Sequence, residues 1–137
     1  MQYDIVVCED NPADVLLLKE AFKAEGLSCA LRVAYSGDEA RKLLQRLGTG
    51  DDSCPDVILI DLHLPEVEGH ELIRFLRENG SCGQTPIVVL TSSLSSKEEQ
   101  DVRALGVNRY IRKPTNLRDF LKIGGQIREL LEKNRAR

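Results

Sequence analysis

Short apolar runs alternate with longer segments of helical period along this chain. Tyr3 to Cys8 reads as a buried strand, ended by the acids Glu9 and Asp10. Asn11-Pro12 then offers a helix its cap and first residue, and Gly26 offers it a stop after about Glu25. Cys29 to Ala34 predicts a second strand, and Ser36 a cap for a helix from Gly37 to about Leu47. The polar stretch from Gly48 to Pro55 is expected to be the least ordered part. Asp56 to Ile60 is apolar after its first residue, the pattern of a strand buried on both faces.

The alternation continues to the end of the chain. A loop with Pro65 leads to a helix from Gly69 to Glu78, and Pro86 to Leu90 predicts the fourth strand. A serine-rich turn precedes a helix from about Lys97 to Leu105, and Arg109 to Ile111 reads as a short fifth strand. Asn116 can cap a last helix reaching about Lys133. Five strands and five helices in strict alternation predict an α/β fold, a doubly wound parallel sheet with helices on both faces. Crossovers should be right-handed, and the functional crevice should lie at the carboxyl ends of the strands. No repeat, low-complexity tract or second domain is visible, so residues 1–137 are read as one domain.

Composition narrows the function classes. The net charge is -3, from 22 acidic and 19 basic residues, which argues against a broad positive face for nucleic acid. Tryptophan is absent and aromatics are few, so base stacking is a poor expectation. The basic end, Lys133, Arg135 and Arg137, is too short for a binding arm and reads as a solvated tail. No apolar stretch approaches the roughly 20 residues of a membrane span, and no leader peptide is recognisable. The four cysteines, at 8, 29, 54 and 82, form no CxxC motif and read as reduced thiols. A cytoplasmic location follows as an expectation.

The chemistry sits at the strand ends. Glu9 and Asp10 end the first strand, Asp61 the third, Thr91 the fourth and Lys113 the fifth. In a parallel sheet these five gather at one edge. Carboxylates brought together repel one another, and a hard cation such as Mg²⁺ with a few oxygen ligands resolves the conflict. Lys113 adds a point charge and Thr91 a hydroxyl. The set makes a pocket for a phosphoryl group on, or arriving at, a carboxylate, and aspartate is an established nucleophile for that transfer. Each residue alone has an ordinary reading as a cap, a turn former or a solvated loop residue; the argument rests on all five falling at strand ends.

With Glu9-Asp10, Asp61-Leu62-His63-Leu64-Pro65 and Gly69, Thr91-Ser92 and Lys113-Pro114 in place, the chain resembles the CheY-like receiver domains of two-component response regulators. The resemblance covers nearly the whole chain. It implies a flavodoxin-like sheet of order 2-1-3-4-5, with Asp61 as phosphoacceptor. It implies Mg²⁺ held by Glu9, Asp10, Asp61 and the His63 backbone carbonyl. Thr91 and Lys113 would contact the phosphoryl oxygens, and Tyr110 would match the family's switch aromatic, filling space that Thr91 vacates on phosphorylation. The family also usually carries a cis peptide at the position of Lys113-Pro114. The segment from Asn11 to Leu18 and the surroundings of Asp61 resemble the small regulators paired with phytochrome-type histidine kinases. His63 stands where many of those have Asn, which leaves the dephosphorylation rate open. His70 reads as an exposed helix residue.

The implied partners are a sensor histidine kinase and a downstream or phosphotransfer protein, since no output domain is expected beyond the last helix. The chain is then no enzyme beyond slow self-dephosphorylation. Leu17, Leu18, Ala21 and Phe22 can share a core face, with Leu16 opposite. On the last helix Leu117, Phe120, Leu121, Ile127 and Leu131 read as the core stripe. Ile123 and Leu130 widen its apolar arc beyond what a one-sided helix needs. They are expected to be exposed, and to pair a homodimer or a kinase through the last helix, the fifth strand and the helix before it. Three other readings remain: a pseudo-receiver interaction module, a small Mg²⁺-dependent phosphatase with Asp61 as nucleophile, and an FMN binder. His63 stands where such a phosphatase wants an acid-base Asp, and the acidic first loop is a poor phosphate cradle.

Overall fold

The structure is a computed structural model that describes residues 2–50 and 52–135. Five strands form one parallel sheet: β1 Tyr3–Cys8, β2 Cys29–Ala34, β3 Val57–Ile60, β4 Ile87–Thr91 and β5 Arg109–Arg112, in the order β2-β1-β3-β4-β5. Between them run α1 Pro12–Ala24, α2 Gly37–Arg46, α3 Gly69–Glu78 and α4 Ser96–Arg103. The fifth helical arm consists of α5 Leu117–Leu121 and α6 Ile123–Arg135. The flavodoxin-like order, the four helical connections and the helical arm after β5 agree with expectation.

Strand parity builds two cores. Ile5, Val7, Val57, Leu59, Val88 and Leu90 face α1, α5 and α6 and pack with Leu18, Phe22, Phe120 and Ile127. Their neighbours Val6, Cys8, Ile58, Ile60, Ile87 and Val89 face α2, α3 and α4 and pack with Leu44, Leu72, Ile73 and Val102. Each residue step reverses the face, which is why the middle strands are apolar throughout. Helix starts follow their caps: the side chain of Asn11 accepts from Ala13 N, Ser36 from Glu39 N, Ser95 from Glu98 N and Asn116 from Asp119 N. Among the described residues no helix is long and apolar enough to cross a membrane.

Several expectations are corrected. The last helix is broken at Lys122, whose N–H turns back to Asp119 O at 3.2 Å. The Gly124-Gly125 pair weakens helix there. A Cβ on Gly124 would collide with the Ala21 carbonyl, so glycine lets α6 lie directly on α1. The break shifts the helical phase. Ile123 and Leu130 are buried, at 0% and 6% exposure, whereas Leu117 is 57% exposed. The expected external stripe of Ile123 and Leu130 is therefore core, and Leu117 is not. Leu16 is exposed, as its position opposite the core face requires.

The cysteine reading also changes. Cys54 and Cys82 form a disulfide, and only Cys8 and Cys29 are free. The pairing joins the loop before β3 to the loop before β4, a contact made in space that spacing in sequence does not show. The stretch from Gly48 to Pro55, expected to be loose, is held by this bond and by Gly48 N to Asp52 O at 2.6 Å, although Asp51 lies outside the described residues. Arg135 is not a solvated tail: its guanidinium covers the Tyr3 ring at 4.1 Å and reaches Asp56 Oδ2 at 3.2 Å. Arg137 lies outside the described residues. Among the described residues the peptide bonds are all trans, Lys113–Pro114 included, against the cis bond the resemblance implied; trans is the lower-energy form even before proline.

Candidate functional site

The carboxyl edge of the sheet brings together residues that are far apart in sequence. β1 delivers Glu9 and Asp10, and β3 delivers Asp61, whose N–H bonds Cys8 O at 3.0 Å and so ties the two strand ends together. β5 delivers Lys113, whose N–H bonds Thr91 O at 2.7 Å and ties the ends of β4 and β5. One carboxylate oxygen from each of Glu9, Asp10 and Asp61 lies within 4.8 Å of the others. Glu9 is 2% exposed and Asp61 7%, while Asp10 is open to solvent.

Lys113 is the centre of this cluster. Its Nζ lies 2.6 Å from Glu9 Oε1, 2.8 Å from Asp14 Oδ2 and 3.0 Å from Asp61 Oδ2. Burial opposes its charge, but the three carboxylates outweigh burial and hold its pKa above the usual lysine value. Glu9 is raised from 4.5 to about 7, first by burial and then by the Asp61 charge, against the pull of Lys113. The short Glu9–Lys113 contact lies off the hydrogen-bond axis, so the buried Oε1 has no aligned donor. One ammonium thus pairs with three of the four acids at this edge, Glu9, Asp14 and Asp61. That donor set fits a hard divalent cation: all the available ligands are oxygens, the buried Glu9 Oε1 has no aligned hydrogen-bond donor, and negative charge is in excess.

The remaining expected residues take distinct places. Asp61 Oδ1 accepts His63 N–H at 2.9 Å, which orients the carboxylate and brings the His63 backbone to the cluster. The His63 imidazole turns instead toward α4, with Nε2 3.1 Å from Glu98 Oε1. Thr91 is wholly buried at the end of β4, and its hydroxyl accepts Ser93 N–H at 3.1 Å. Tyr110 sits beside Val89 in the ladder, half-buried, with its hydroxyl enclosed and without a partner. Its ring packs, partly buried, against the core that faces α2, α3 and α4. Burial, with Glu98 and Glu99 nearby, raises its phenol pKa. His70 is half-buried rather than exposed.

Sequence reasoning passed over two members of this region. Asp14 occupies the first turn of α1, where an acid reads as helix-dipole stabilisation; the Pro12 start aims that turn at the strand edge, a signal available in retrospect. Glu98 likewise reads as a first-turn acid of α4, and nothing local points to His63 as its partner.

Comparison with known proteins agrees with this geometry. The model of the response regulator receiver domain matches residues 5–123. Response regulator Rcp1 of Synechocystis sp. is 36% identical over 123 residues, covering 87% of this chain and 82% of its own. The phosphorylated cyanobacterial phytochrome response regulator RcpA superposes with a TM-score of 0.86 at 30% identity, covering 98% of this chain and 96% of its own. The Mn²⁺-bound form of Rcp1 superposes at 0.81 with 32% identity, covering 91% of each chain.

Proposed function

Since the chain belongs to the response-regulator receiver family, we propose that it is a single-domain phosphoacceptor switch: Asp61 takes a phosphoryl group from a histidine kinase, in a Mg²⁺-dependent reaction. The observation that carries this reading is the convergence of Glu9, Asp10 and Asp61 within 4.8 Å, with Lys113 Nζ 3.0 Å from Asp61 Oδ2. An Asp61 carboxylate oxygen attacks the phosphorus in line, the bond to the donor histidine nitrogen breaks, and an acyl phosphate forms. His63 N–H holds the other oxygen and sets the angle of attack. Lys113 then exchanges its Asp61 contact for a phosphoryl oxygen. Thr91 leaves Ser93 N–H and donates its hydroxyl to another. A divalent cation bound by Glu9, Asp10, Asp61 and the His63 backbone carbonyl would neutralise charge on the transferring group.

Similarity to Rcp1 and RcpA supports a phytochrome-type kinase as donor and a protein, or a phosphotransfer histidine, as receiver of the signal. No nucleic-acid, membrane or enzymatic output is proposed beyond slow self-dephosphorylation, and a cytoplasmic location is part of the same reading. A homodimer through α6, β5 and α4 loses its structural motive, because Ile123 and Leu130 lie in the core. The test is chemical. With Mg²⁺ and a small phosphodonor, the protein gains one acid-stable, base-labile phosphoryl group, and Asp61→Asn and EDTA each abolish it. Equal labelling of Asp61→Asn overturns the assignment.

A further inference from the structure

The proposed phosphoacceptor and the Thr91 hydroxyl occupy the carboxyl ends of β3 and β4. The opposite ends of the same two strands are bridged by the Cys54–Cys82 disulfide, across a sequence separation of 28. Cys54 lies in the loop entering β3 and is exposed; Cys82 lies in the loop entering β4 and is 3% exposed. Both line a cleft of about 580 Å³, whose walls include Asp56, Thr85, Asn108 and Arg135. Gly48, at φ +76°, roofs the bond: a Cβ there would stand 3.1 Å from Cys82 Sγ, 3.2 Å from Cys54 Sγ and 2.7 Å from Ser81 Cβ. Gly48 thus lies against both sulfurs, and the two cysteines differ in exposure: Cys82 is buried and Cys54 is open to solvent.

The sheet does not need the bond to hold its strands. Ile58 to Ile60 pair with Ile87 to Val89, and Ile58 N–H bonds Pro86 O at 2.9 Å. Arg77 pins the β4 loop independently, donating to Gly83 O at 3.0 Å and Thr85 O at 2.7 Å. A chain of this length buries enough apolar surface to fold without a staple. The bond therefore restrains two loops over a fold that stands without it, and its opening is a local event.

We propose that Cys54–Cys82 is a reversible thiol–disulfide site, opened in the folded protein by a dithiol reductant that attacks through the cleft at Cys54. The dithiol's thiolate attacks Cys54 Sγ; the S–S bond breaks, and Cys82 leaves as a thiolate and takes a proton. The reductant's second thiol then displaces Cys54 from the mixed disulfide. Two electrons pass to the protein, two protein thiols form, and the dithiol becomes a disulfide. Access chooses which sulfur is attacked. The consequence is a redox-set grip on the loops 48–56 and 79–86, an input separate from the phosphoryl-accepting end and independent of that proposal.

The test uses the folded chain with dithiothreitol, followed by alkylation, peptide mass mapping and brief proteolysis. In native buffer the reductant should expose two thiols, at Cys54 and Cys82. Buried Cys8, its thiol pushed up to about 12, should stay unlabelled. The reduced form should be cut faster within 48–56 and 79–86, and oxidised glutathione should restore the bond and the resistance. The Cys54→Ser/Cys82→Ser protein should match the reduced form in both reductant and oxidant. Reduction that occurs only in denaturant, together with labelling of Cys8, overturns the proposal and leaves a permanent staple. Failure of oxidised glutathione to form the bond in the folded chain overturns it as well.

Discussion

Replacing Glu9 with Gln should make the metal-free protein more stable while weakening its hold on a divalent cation. Glu9 is 2% exposed, and its pKa stands at about 7 against an ordinary 4.5. The folded state thus binds this proton more tightly than the unfolded chain, so ionised Glu9 opposes folding. The penalty is absent below the unfolded value, grows as pH rises from 4.5 and is complete above about 7. At about 1.4 kcal/mol per pKa unit the full penalty is about 3 kcal/mol. Gln has the shape of the neutral acid and keeps an acceptor for Asn11 N–H, which Glu9 Oε2 meets at 3.2 Å. The attraction of Lys113 is already included in the raised pKa, and Lys113 retains Asp14 and Asp61 as partners. With an unfolding entropy of about 2.1 cal/mol/K per residue, the gain corresponds to a rise in Tm of about 10 °C. Urea denaturation followed by circular dichroism, in EDTA and across this pH range, measures it. The parent should lose stability between pH 4.5 and about 7 relative to the variant, and the curves should run parallel above that. Added Mg²⁺ should stabilise the parent more than the variant. A variant no more stable than the parent at about pH 8 in EDTA would refute the reasoning, because the burial of charge would then be fully compensated.

Three further outcomes follow from the packing. Ile123→Ala, at a fully buried position, should cost about 2–4 kcal/mol in urea denaturation with no change in sedimentation, since the side chain packs against the sheet rather than a partner. Arg77→Met should cost about 2–3 kcal/mol, because its guanidinium serves Gly83 O, Thr85 O, Gly106 O and Asn108 Oδ1; Arg77→Lys should recover little, as one ammonium cannot span that set. Reducing Cys54–Cys82, which closes a loop of 28 residues, should lower stability by up to about 3–4 kcal/mol, read as a fall in the calorimetric midpoint.

The division between what the chain's own order of residues determined and what tertiary contact decided follows the range of the forces. Strand and helix periods are set by neighbours a few residues apart, so the run Val57–Ile60 and the caps Asn11, Ser36 and Asn116 were legible directly. The gathering of Glu9, Asp10, Asp61 and Lys113 was legible too, because parallel strands with right-handed crossovers leave all their carboxyl ends on one edge. Whatever depends on a partner distant in sequence was not. Asp14 looks like any first-turn acid until α1 is docked and it meets Lys113, 99 residues away. Cys54 and Cys82 carry no spacing signal, and only the approach of two loops pairs them. The apolar arc of the last helix was visible, but its phase was not. Gly124 lets α6 settle on Ala21, the helix breaks at Lys122, and Ile123 and Leu130 turn into the core while Leu117 turns out. Helical period tells which residues share a face; only the contact with α1 and the sheet decides which face is buried.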